Sequence, residues 1–167
     1  FMKNFPVRKN TRIKSFDYSS KCAYFITFCT KDRINYFSNI IDWVNNLNQL
    51  WLIVENEILF TQSIRKNIII DDFIIMPNHI HMIIFIENLV GNDCIVPKII
   101  KIVPENNNFS RQNEVIPSII KWLKSSITRK INEFQKEFYF SWQKSYYDRV
   151  IRNEIELEKI RKYIVEN

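Results

Sequence analysis

The stretch Ile68–Glu87, IIIDDFIIMPNHIHMIIFIE, decides how this chain folds. β-branched and aromatic residues crowd both of its halves, a composition that suits a pleated and buried surface. Met76-Pro77-Asn78 interrupts the run, because proline fixes its own φ and offers no N–H to a ladder. Two strands are expected, Ile68–Ile75 and Ile80–Glu87, joined through that turn. The chain has two histidines, His79 and His81, and they stand where the second strand begins. Residues two apart in a strand face the same way. Two imidazoles on one face form a ready pair of metal ligands. The same pattern also describes two hydrogen-bonded histidines on a sheet surface, and spacing alone leaves both readings open.

Nearer the start of the chain, Cys22–Thr30, CAYFITFCT, reads as a strand. Leu47, Leu50, Val54 and Ile58 then recur at helical spacing, which predicts a helix over Asn46–Gln62. Pro117 opens a second helix, since its missing N–H costs nothing in a first turn. Ile116, Ile120, Leu123, Ile127, Ile131 and Phe134 mark its buried stripe, and Lys121, Lys124, Arg129 and Lys130 populate the remaining surface. Tyr147–Arg152 reads as a fourth strand and Glu154–Glu166 as a last helix with an acidic first turn. Asn88–Asn113 and Glu137–Ser145 read as loops, neither long enough to separate independent domains. The order βαββαβ, with one helix appended, is that of an α+β, ferredoxin-like (RRM-like) antiparallel sheet. One domain over 22–167 is expected, preceded by a basic arm over 1–21.

Composition narrows the function classes. The chain has 167 residues, 46% of them hydrophobic, enough for a core without disulfides. Gly91 is its one glycine, which excludes phosphate loops of the Walker or Rossmann kind. Cys22, Cys29 and Cys94 form no CxxC pair, so a reducing cytoplasm is expected rather than a disulfide scaffold or zinc knuckle. The longest apolar run, Phe73–Ile86, is broken by Pro77, Asn78 and the histidines, and falls short of the ~20 residues of a spanning helix. The opening FMKNFPVRKNTRIK lacks the apolar segment of a secretory signal. Net charge is +6, and the first 21 residues hold Lys3, Arg8, Lys9, Arg12, Lys14 and Lys21 against Asp17 alone. Such an arm suits a phosphate backbone, and equally a solvated tail.

On the last helix, Tyr163 and Asn167 are four apart and share a face. A phenol can attack phosphorus and form a covalent link. With a free pKa near 10 it needs an activated electrophile, which a divalent metal supplies. An asparagine oxygen suits such a hard cation. Alone, Tyr163 is weak evidence, since a tyrosine in a terminal amphipathic helix is usually a core or rim residue. Tyr146 and Tyr147 are rival phenols, read as packing or DNA-contacting groups. Arg149 and Arg152 pair with acids or with phosphate, and Trp142 fills the core or stacks on a base.

Met76-Pro77-Asn78-His79-Ile80-His81 resembles the HUH motif, histidine-hydrophobic-histidine, of single-tyrosine transposases. Two further blocks follow the branch known as REP-associated tyrosine transposases. RIKSFDYSSKCAYFITFCTKDR, Arg12–Arg33, is similar to the family's opening segment and first strand. WQKSYYDRVIRNEIELEKIRKYIVEN, Trp142–Asn167, is similar to its WQ…DR.IR…YI..N pattern. The resemblance covers most of the chain. It implies that His79 and His81 bind a metal, Mg2+ or Mn2+, that Tyr163 is the nucleophile, and that Asn167 is the third ligand. The family continues past this asparagine with a proline and a tail, whereas this sequence ends at Asn167. The activity implied is cutting and rejoining of single-stranded DNA at palindromic hairpins through a 5′-phosphotyrosine link. The protein is expected to work in the cytoplasm at the nucleoid, as a monomer in preference to a homodimer. Arg8, Lys9, Arg12, Lys14, Lys121, Lys124, Arg149 and Arg152 are the candidate DNA contacts. A replication initiator or relaxase fits less well, since the tyrosine follows the histidines and no helicase portion is present. A non-catalytic hairpin-binding regulator on the same fold has no need of His79, His81 and Tyr163.

Overall fold

Strands dense in isoleucine and phenylalanine must bury both of their faces, and the chain does this by placing them centrally between helical layers. The computed structural model describes residues 23–41, 44–86 and 115–167, with the backbone alone over 39–41 and 44–47. Its elements are β1 (Ala23–Cys29), β2 (Ser38–Ile41), β3 (Val44–Leu47), α1 (Gln49–Ile64), β4 (Ile68–Met76), β5 (His79–Ile86), α2 (Val115–Phe134), β6 (Tyr147–Ile151) and α3 (Glu154–Glu166). Four strands form one sheet in the order β4-β5-β1-β6, every neighbouring pair antiparallel. This is the ferredoxin-like arrangement expected from the sequence. The expected basic arm over 1–21 and the loop Asn88–Asn113, with Cys22 and Cys94, lie outside the described residues. Cys29 is a buried free thiol.

The two faces are covered differently. Tyr24, Ile26 and Phe28 of β1 and Ile80, Met82 and Ile84 of β5 pack under α1 and α2, against Val54, Ile58, Ile116, Ile120, Leu123 and Ile127. On the opposite face, Ala23, Ile83, Phe85 and Ile151 meet Leu157 and Ile164 of α3. Both central strands are thus buried on each side, which is why they read as continuous apolar runs instead of alternating ones.

The structure departs from the expected elements in two places. The first helix begins at Gln49, not Asn46, because Asn48 is its N-cap: the side-chain oxygen accepts from the N–H groups of Leu50 (3.0 Å) and Trp51 (3.1 Å). Residues 44–47 instead form β3, which pairs with β2 in a separate two-stranded ribbon. Leu47 imitated a helical position only because it lies three residues before Leu50. In α2, five of the six expected stripe residues are buried, but Phe134 is 56% exposed. It is the last residue of the helix, beyond the cover that Ile131 receives.

Lys130 likewise does more than solvate a helix. Glu57 of α1 is 1% exposed. The Lys130 ammonium pairs with its carboxylate, and the Ser126 hydroxyl donates to it, so α2 is fastened to α1 by a buried charge. Losing one partner strands the other. Lys130→Met is expected to cost about 2–3 kcal/mol in urea unfolding, less than for a fully enclosed pair because Lys130 is half exposed. Adding Glu57→Met to that variant is expected to recover at least half of the loss.

Candidate functional site

Antiparallel pairing of β1 with β5 sets Thr27 opposite His81 and Cys29 opposite His79. The imidazoles fall on the α3 face, in phase with Ile83 and Phe85. Their outer nitrogens converge, His79 Nε2 lying 3.1 Å from His81 Nε2. Their other nitrogens are held by neighbours. Thr27 Oγ1 is 2.7 Å from His81 Nδ1, and Asn78 Oδ1 is 2.8 Å from His79 Nδ1.

The Asn78 contact fixes a proton. Its amide nitrogen donates to the Arg33 carbonyl (3.1 Å) and to Asn35 Oδ1 (2.8 Å), so its oxygen must be the atom that faces His79. An amide oxygen only accepts, so the His79 proton sits on Nδ1 and its Nε2 presents a lone pair. Burial, and then the positive charge of Arg33, pull the His79 pKa below its ordinary value. Burial, and then His79, pull His81 down to about 4. Both rings are therefore neutral at neutral pH, which is the ligating form.

These donors fit a divalent cation. The two Nε2 atoms at 3.1 Å share a proton when His81 carries its hydrogen on Nε2, and are free to share a cation when it does not. That separation also suits two ligands at right angles around an ion with metal–nitrogen bonds of ~2.1 Å. Among the described residues, no group of three or more His, Cys, Asp or Glu side chains forms a metal cluster.

A phenol oxygen stands beside the outer nitrogen of His81. Tyr163 Oη lies 3.3 Å from His81 Nε2. The helix arrives there because Leu157, Ile160 and Ile164 form its apolar seam against the sheet, with Tyr163 beside that seam. Phe25 stacks on His81 with centroids 5.2 Å apart and meets Tyr163 edge-on at 6.2 Å. Tyr163 as a whole is 47% exposed.

The other expected site residues are scattered. Asn167 is the exposed C-cap of α3, one turn past Tyr163, and makes no hydrogen bond to either imidazole. Arg149 pairs with Glu156, and the Arg152 N–H donates to the same carboxylate while its side chain stays exposed. Lys121 is exposed, but Lys124 donates to the carbonyls of Gln143 (2.5 Å) and Ser145 (3.3 Å), fastening the 135–146 loop to α2. Both lysines lie in the helical layer across the sheet from the imidazoles. Arg8, Lys9, Arg12 and Lys14 lie outside the described residues.

Thr27, Asn78 and Arg33 are parts of the site that sequence reasoning missed. Thr27 becomes visible only once the strand register is known. Arg33 and Asp32 hold left-handed backbones, φ 56° and 55°, in the turn after β1. That turn is the one whose carbonyl anchors Asn78.

Known proteins resemble this chain in sequence and in fold. An uncharacterized protein of Haemophilus influenzae is 33% identical over 166 residues, covering 96% of this chain and 87% of that protein. The chain belongs to that protein's family. No family model matches it. Among solved structures, a REP-associated tyrosine transposase bound to a REP hairpin superposes with a TM-score of 0.54 at 17% identity, over 92% of this chain and 70% of the other. At that identity the likeness is one of fold, and in fold the resemblance drawn from the three sequence blocks is borne out.

A depressed histidine pKa destabilises the folded state in acid. The unfolded chain takes up its proton near pH 6.5, whereas His81 resists to about 4. Its contribution is therefore present above pH 6.5 and is lost as pH falls toward 4. In chelator-treated buffer, unfolding free energy is expected to fall across that window, and His81→Gln is expected to flatten the slope. An unchanged slope in the variant would assign it to other groups.

Proposed function

We propose that the chain is a divalent-metal-dependent transposase that cuts and rejoins single-stranded DNA beside a hairpin, with Tyr163 as nucleophile. The observation that carries this reading is the convergence of the Tyr163 hydroxyl with two neutral imidazole nitrogens on one sheet face. A structural pair of surface histidines has no need of a half-exposed phenol beside it.

His79 and His81 would hold Mg2+ or Mn2+, with Asn167 as a third ligand from the end of the helix. When bound, the cation would draw charge from the phosphoryl oxygens. Thr27 and Asn78 orient the imidazoles and keep their outer nitrogens aimed together. Phe25 and the packed sheet exclude water from one side of His81. Tyr163 forms a bond to phosphorus as the bond to the 3′ oxygen breaks. The phenol proton is lost and the leaving oxygen gains one, which yields a 5′-phosphotyrosine and a free 3′-hydroxyl. The ester is conserved in this exchange, so reversal onto another 3′-hydroxyl needs no ATP.

Single strands flanking a hairpin are the fitting substrate, because their phosphates reach the site without the cost of opening a duplex. The REP-associated relative is bound to a REP hairpin, which supports hairpin DNA, probed first as a repetitive palindrome, as the partner. In this reading Arg8, Lys9, Arg12, Lys14, Lys121, Arg149 and Arg152 meet phosphates, and Lys124 acts by holding its loop. Among the described residues no helix is long and apolar enough to cross a membrane. Action in the cytoplasm, at the nucleoid and as a monomer, belongs to the same reading.

The test is a labelled hairpin with single-stranded flanks, incubated with the protein and Mn2+ and run on a denaturing gel. A covalent adduct is expected, reduced to background by Tyr163→Phe and by about 100-fold or more in His81→Ala. Tight hairpin binding without an adduct under any divalent cation would leave a binding protein only. Thr27→Val keeps the shape of the side chain but frees His81 Nδ1. It is expected to weaken Mn2+ binding by about 10-fold in calorimetry.

A further inference from the structure

α3 rests on the sheet through an apolar seam of Leu157, Ile160 and Ile164. Such contacts set which face of the helix meets the sheet but, being non-directional, leave its finer rotation and slide open. A directional contact is supplied by Arg161. Its Nε and Nη2 donate to the two carboxylate oxygens of Asp71 in β4, both at 2.7 Å, and its Nη1 donates to Glu158 at 2.6 Å. The two side chains are only 28% and 18% exposed. A guanidinium that grips both oxygens must lie in the carboxylate plane, so the fork sets orientation as well as distance.

The strand is built to deliver this carboxylate. Ile70 pairs with Ile84 and Asp72 with Ile83, so Asp71 is the extra residue of a β-bulge. Bulges re-aim a side chain and change the phase of a strand. Here the same irregularity presents Asp71 to α3 and brings Ile74 and Met76, instead of Phe73 and Ile75, opposite His81 and His79 in face as well as register.

Arg161 precedes Tyr163 by two residues on the same helix. One residue of slippage turns a helix by ~100° and would carry the phenol off the histidine pair. We infer that Asp71 and Arg161 are positioning residues for the nucleophile, a clamp that holds the Tyr163 hydroxyl at His79 and His81. This rests on the reading of Tyr163 as nucleophile. Neither residue touches the reacting atoms; misplacing a reacting group by about 1 Å can cost ~100-fold in rate.

The test uses the full chain, a hairpin oligonucleotide with single-stranded flanks, and Mn2+. Asp71→Asn and Arg161→Lys are compared with the reversed pair, Asp71→Arg with Arg161→Asp. Each single change is expected to slow adduct formation at saturating DNA by about 10- to 100-fold. Hairpin affinity should stay within about twofold, and amide exchange should rise over 154–167 but not in β1 or β5. The reversed pair should recover some of the rate. Wild-type adduct rates in both single variants overturn the clamp. So does a loss of protection that spreads through the whole sheet, which would mark a merely structural pair. If the wild type itself forms no adduct with Mn2+ or Mg2+, the nucleophile reading fails separately. Exchange then decides alone: a rise confined to 154–167 supports the clamp, and unchanged protection overturns it.

Discussion

The antiparallel pairing of β1 with β5 is the constraint on which the rest of the molecule depends. Its register puts Thr27 beside His81 and places both imidazoles on the face that α3 covers. A slip of one residue would send every side chain of β5 to the opposite face. The histidines would then lie under α1 and α2, and Met82 and Ile84 would meet α3. That alternative is blocked because both faces of β5 are filled with side chains fitted to different neighbours. Close packing of a two-sided strand is therefore what holds two polar rings in place.

Each helical layer combines a seam of apolar residues with one well-placed charge, which joins helix to helix in one layer and helix to sheet in the other. On one side the buried Glu57 joins α1 to Ser126 and Lys130 of α2. On the other the Asp71 carboxylate meets Arg161 of α3. Apolar burial supplies most of the attraction in such layers, but it is tolerant of sliding. A hydrogen-bonded charge removes that tolerance, because a displaced partner leaves a poorly solvated ion behind.

Much of this fold is legible in the sequence. The strands around Met76-Pro77-Asn78, the α2 stripe and the final helix are set by local periodicity and turn chemistry, and the structure has them within a few residues of their expected bounds. The β2–β3 ribbon is not legible. Its residues are mostly asparagine and isolated aliphatics, and Leu47 falls at a spacing that imitates the helix behind it. The convergence of His79 and His81 could be anticipated because it needs only the two-residue period of a strand. Thr27, the amide orientation of Asn78 and the Asp71–Arg161 contact could not. Each depends on residues brought together from 45 to 90 positions apart, and the last depends also on a bulge that shifts the phase of β4 without any glycine to announce it.

The stacking of Phe25 on His81 has a further consequence for traffic into the site. His81 is 7% exposed, closed on one side by that ring and on another by Tyr163, while His79 is less covered and sits nearer the Arg33 turn. Under the proposed function, a polyanionic strand would meet the Arg33 charge and His79 ahead of the more enclosed His81. The two histidines, alike in chemistry, thus differ in burial, one an outer and the other an inner member of the pair.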